Sequence, residues 1–152
     1  MRAGRQGGFT LVAVLLVVAA TGAGLAAIAQ LASQQAQREK EVELLFVGQQ
    51  FRQAIGGYYK KEARYPKALD ELLEDKRYPM PVRHLRKLYR DPVTGEPAWG
   101  LVQAPGGGIM GVHSLAQEAP VKTGNFAGED RAFQDAAKYS DWQFVFTPAS
   151  PK

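Results

Sequence analysis

Residues 7–29 read GGFTLVAVLLVVAATGAGLAAIA, and no charged side chain occurs anywhere from Gln6 to Gln37. Within that stretch Phe9–Ala29 is apolar apart from Thr10 and Thr21. As an α-helix it spans about 32 Å, close to the roughly 30 Å hydrocarbon core of a bilayer. Arg2 and Arg5 precede it, and basic flanks stay on the cytoplasmic side, so the rest of the chain is expected outside the cytoplasm. The same residues also read as a secretory signal, with a basic start, an apolar centre and a small-residue end at Ala27-Ile28-Ala29. The apolar centre, Phe9 to Leu25, is longer than the usual signal core of about 7–15 residues. A plain single-span anchor is the third reading.

Helical spacing continues beyond this segment. Arg38-Glu39-Lys40-Glu41-Val42-Glu43 reads as the exit into water. Leu44, Val47, Phe51, Ile55 and Tyr58 then recur at three- and four-residue steps, marking one apolar stripe. Gln49, Gln50, Arg52, Gln53, Lys60 and Lys61 fall between them as the solvent face. The pattern predicts one helix over residues 9–61, with Gly48 and Gly56-Gly57 marking bends or close packing. Arg64-Tyr65-Pro66 opens a short acidic amphipathic helix through Leu73, with Pro in its favoured first-turn place. Trp99–Gln103 and Ile109–Leu115 flank Pro105-Gly106-Gly107-Gly108 as a β-hairpin, and Trp142–Phe146 supplies a third strand. The fold class is therefore α+β, a long N-terminal helix packed on a small antiparallel sheet.

Composition narrows the chemistry. A chain of 152 residues holds one modest domain with one added element, and 45% hydrophobic with 22% charged residues fits a folded chain. Cysteine is absent, which excludes disulfides and thiolate zinc. His84 and His113 alone cannot build an all-nitrogen metal site. A net charge of +4 is too mild to imply nucleic acid. Gly106-Gly107-Gly108 lacks the Lys-Ser/Thr that completes a phosphate loop. Neither histidine pairs with a nucleophile at readable spacing, so catalysis is not expected.

Gly7-Gly8-Phe9-Thr10-Leu11-Val12 resembles the processing site of type IV prepilins and type II secretion pseudopilins. The resemblance implies a prepilin peptidase cut after Gly8 and N-methylation of Phe9. It divides the chain into a leader (1–8), a transmembrane and filament-core helix (9–32) and a periplasmic pilin-like head (33–152). The subunit would sit in the inner membrane as a single-pass protein and then in a periplasmic filament. Its partners would be the peptidase, other pseudopilins and the inner-membrane assembly platform. The helix stays on the mature protein, unlike a signal peptide. Most of the family carries Glu at the fifth residue after the cut, where it is thought to meet the terminal amine of a neighbour; here that residue is Ala13. A lone carboxylate in a membrane helix is costly, so its replacement bears on assembly. Arg64-Tyr65-Pro66 and Asp91-Pro92 resemble segments of the major, G-type pseudopilin. The alternatives are a type IV minor pilin in adhesion or DNA binding, and a periplasmic module cut after Ala29.

Two further regions are candidate sites. By the same resemblance, the loop from Gln117 to Asp141 would bind calcium through Asp130, Asp135 and Asp141, since calcium takes six to eight oxygen ligands. The tight alternating spacing of a calcium loop is absent and Lys122, Arg131 and Lys138 interrupt it, so a solvated loop with a short helix near 130–138 and no cofactor is the favoured reading. Lys76, Arg77, Arg83, Arg86, Lys87 and Arg90 form a basic run bracketed by Asp75 and Asp91. Subunit contact through Arg83, Arg86 and Lys87, together with Ala13 in the helix, is the expected use. Nucleic acid is not the expected partner there, because no ladder of stacking aromatics accompanies the charge.

Overall fold

The computed structural model describes residues 7–126 and 128–148, with side chains from residue 10 onward except those of 22–29. The chain falls into two units, Met1–Gln37 and Arg38–Lys152. Its helix α1 runs over Gly7–Glu62.

In the first unit, Leu11, Val12, Val14, Leu15, Leu16, Val17 and Val18 are each more than half exposed. The apolar surface therefore lies on every side of the helix and not along one stripe. Thr21 donates its hydroxyl to the carbonyls of Val17 and Val18 at 3.0 and 2.9 Å, so this polar group is satisfied within the helix. Among the described residues no helix is long and apolar enough to cross a membrane. Of the expected span, the side chains of Phe9 and of 22–29 lie outside the described residues, as do leader residues 1–6.

In the second unit the expected stripe faces the core: Leu44, Val47, Phe51, Ile55 and Tyr58 are all buried. Two charged residues expected in water are buried with it. Glu41 is 2% and Arg52 4% exposed, because each meets partners from far along the chain. The amides of Val121 and Lys122 and the hydroxyl of Tyr139 all donate to Glu41 Oε1. Arg52 Nη1 donates to Gln49 Oε1 at 2.6 Å and lies 2.8 Å from Asp130 Oδ1. The helix glycines mark close packing. A Cβ on Gly48 would enter the Phe144 ring, and one on Gly56 would stand 2.8 Å from Phe146.

Helix α1 ends where Ala63 turns left-handed (φ 53°) and donates its amide to Tyr59 O at 2.7 Å. The expected amphipathic helix after Pro66 is a single 3-10 turn, Leu69–Leu72, with Leu72 buried. Strand β1 (Gly100–Gln103) pairs antiparallel with β2 (Ile109–His113), which pairs antiparallel with β3 (Phe144–Val145). Gly107 and Gly108 take positive φ in the β1–β2 turn, and Gly108 backs onto Tyr65. The third strand is shorter than predicted, because Trp142 and Gln143 lead out of a 3-10 turn, Tyr139–Asp141. The helix expected near 130–138 is likewise replaced by that turn and by a second one, Gly128–Phe133. Phe133, Tyr139, Trp142 and Phe144 interlock at ring distances of 5.1–5.6 Å, closing the core over Gly48.

Candidate functional site

The basic run does not form one uniform patch. Asp75 is 1% exposed and its backbone bridges to Val82, so residues 76–81 form a loop closed at its base. Arg77 folds back over this base: Nε and Nη2 donate to the Asp75 carboxylate at 2.8 and 2.6 Å. Its guanidinium also lies 3.6 Å from the centre of the Tyr58 ring. His84 Nε2 stands 3.1 Å from Asp75 Oδ2, with the ring against Tyr58 and Gly57. The Arg77 hydrogen bonds hold the Asp75 carboxyl well below the usual carboxylate range, against the upward pull of burial. Tyr58 is pushed up to about 12, first by burial and then by its 2.7 Å hydrogen bond to Glu71 Oε2. Each of these groups is tied to a partner within the chain. The assembly braces the end of α1 against 69–85.

A groove of about 640 Å³ opens beside this brace, lined by Tyr58, Glu62, Arg64, Glu71, Glu74 and Arg77 among others. Its charges are mixed in sign, and Glu71 is already engaged by Tyr58 and by the Lys67 amide.

Beyond the brace, Arg83, Arg86, Lys87 and Arg90 are exposed. The backbone beneath them is fixed. The amides of His84 and Leu85 donate to Leu72 O at 2.9 Å, Leu85 is buried, and Tyr89 O accepts the Trp99 indole N–H at 2.8 Å. Asp91 is fully buried and accepts the Ser114 hydroxyl at 2.6 Å. The run is therefore a ridge of outward cations on a pinned loop. His113, on β2, is half-buried with Nδ1 2.8 Å from Ser114 O. Ala13 lies on the exposed surface of α1 in the first unit.

The structure does not gather Asp130, Asp135 and Asp141. Asp130 faces Arg52, Asp141 accepts the Lys138 amide at 3.1 Å as a cap, and Asp135 is exposed with φ 56°. Among the described residues no group of three carboxylate or imidazole side chains is placed to hold a metal. The Gly8–Phe9 junction has helical backbone, and its side chains lie outside the described residues.

Sequence reasoning missed Glu41 and Arg52, whose partners lie about eighty residues downstream. No local pattern marks them, although each sits one turn from a core position. Comparison with protein-family models, with curated proteins and with solved structures finds no match.

Proposed function

We propose that this chain is a structural subunit of a type II secretion pseudopilus or a related type IV filament, with a pilin-like architecture. One observation carries the reading: residues 10–21 form a helix that is apolar on all sides and bare in the single chain. Such a helix needs cover, either lipid or other helices like it. The Gly7-Gly8-Phe9-Thr10-Leu11 junction directly ahead of it supports the same reading, as does the long helix continuing into an α+β head. Prepilin peptidase would cut after Gly8, and methylated Phe9 would begin the mature chain. Subunits would then leave the bilayer and bundle their helices, exchanging lipid contact for packing against neighbours. Thr21 fits this environment because its hydroxyl is already satisfied.

Mass spectrometry of the native N-terminus tests the proposal. N-methylated Phe9 is the expected first residue. A chain beginning at Gln30 or at uncut Met1 refutes it.

A further inference from the structure

We propose that two different faces of residues 38–152 dock on each other between successive copies of this chain: an acidic and apolar stripe on α1, and the cationic ridge at 83–90. The proposal rests on the filament reading and specifies a head-to-head contact which that reading leaves open.

The stripe consists of Glu39, Val42, Glu43 and Phe46. Their i, i+3, i+4, i+7 spacing places them on one helix face. All four are exposed, Val42 at 68% and Phe46 at 56%, while Glu41 and Leu44 between them and Val47 just beyond are buried. The core thus takes one side of this segment and leaves two carboxylates and two large apolar groups uncovered. No ion pair among the described residues engages Glu39 or Glu43.

The ridge is the complement of that stripe. Arg83, Arg86, Lys87 and Arg90 are exposed, with Leu88 at 40% beside them. No ion pair among the described residues engages Arg83 or Arg86; Lys87 stands over the Tyr89 ring and Arg90 donates to Gly95 O. Because Leu72, Leu85 and Trp99 pin the backbone, the cations are presented with little ordering left to do on contact. Carboxylates meet guanidinium groups, Val42 meets Leu88, and the Phe46 ring offers a face to an arginine.

A second copy is the occupant because one chain presents both complementary faces, at places too far apart along α1 for a chain to join its own. His84 lies against Gly57 and Tyr89 against Phe51, whereas the stripe is centred near Glu43. From residue 43 to residue 57 is about 21 Å along the helix. In a head-to-tail contact each copy keeps one free face of each kind and the contact repeats along a filament, as the filament reading requires. Nucleic acid fits the ridge less well, since its exposed apolar residue is Leu88 and its one aromatic, Tyr89, is half-buried.

The chain has no cysteine, so introduced pairs report the contact directly. Full-length Val42→Cys and Lys87→Cys chains are co-expressed in a bacterial host, the membranes are oxidised, and disulfide dimers are resolved on a non-reducing gel. The mixed dimer should exceed either same-site dimer about tenfold, Glu43→Arg should lower it about fivefold, and Arg86→Glu on the other chain should restore it. Dominant same-site dimers, absence of the mixed dimer, or a mixed dimer indifferent to these charges would overturn the proposal. Leu16→Cys separates it from the filament reading. Crosslinking at Leu16 without the 42–87 pair sinks the docking alone, and loss of both sinks both. DNA retardation by the full chain that Arg86→Glu abolishes would also overturn it, by assigning the ridge to nucleic acid.

Discussion

Gly48→Ala sets helix propensity against packing at a single atom. In an exposed helix interior the change stabilises by about 1 kcal/mol, because glycine carries excess chain entropy into folding. Here the added methyl would lie closer than 3.0 Å to several atoms of the Phe144 ring. That ring is fully buried and wedged edge-on against Phe133, so it cannot swing clear without opening the aromatic cluster. Overpacking of this kind costs about 3 kcal/mol, at the upper end of the usual range. The net expectation is a loss of about 2 kcal/mol, which at about 4 °C per kcal/mol lowers the melting temperature by about 8 °C. The assay is thermal unfolding of the full chain in detergent, followed by far-UV circular dichroism. Gly57→Ala is the milder comparison, because its Cβ would stand 3.1 Å from His84 Nδ1 and not inside a ring, so its loss should be smaller than that of Gly48→Ala. Phe144→Leu combined with Gly48→Ala should recover part of the loss, as coupled neighbours do. A Gly48→Ala chain that melts at or above the parent would show that the ring does not rest on the helix, and the argument for close packing would fail.

Two further substitutions probe the buried charges. Glu41→Gln removes the charge that accepts three hydrogen bonds and should cost about 2–4 kcal/mol by urea unfolding; an unchanged midpoint would mean that the 121–139 segment is not strapped to the helix through this carboxylate. Asp75 is held below its unfolded value of about 3.9, so the stability it contributes is complete above that pH and is lost as pH falls through the native value. Asp75→Asn should therefore be less stable at neutral pH and show a shallower decline between about pH 5 and pH 2, and an identical acid limb in thermal melts would contradict the Arg77 clamp.

The core stripe was legible because burial of one helix face forces the 3–4 spacing, and Leu44 through Tyr58 obey it. The hairpin was legible because Gly107 and Gly108 supply the positive φ that its turn requires. Other features depended on pairing across the chain. Glu41 and Arg52 look like solvent residues until the 117–141 segment folds over them, and that segment has almost no periodicity because it is built from turns. The same absence hid the brace. Arg77 and His84 fall within a charge run that Asp75 brackets, yet all three turn inward at the Asp75–Val82 bridge, while Arg83 and Arg86 face out. The pairing of Val42 with Phe46 on one exposed face was also hidden, since the core stripe accounts for neither residue.

The sheet has a consequence for behaviour at high local concentration. Its outer strands are four and two residues long, and the register of β1 shifts between Val102 and Gln103. Such stubs offer too few unpaired amides and carbonyls to template a strand from another molecule. Crowded molecules are thereby steered away from amyloid-like edge zippering, and any ordered polymer they form must be held through side chains.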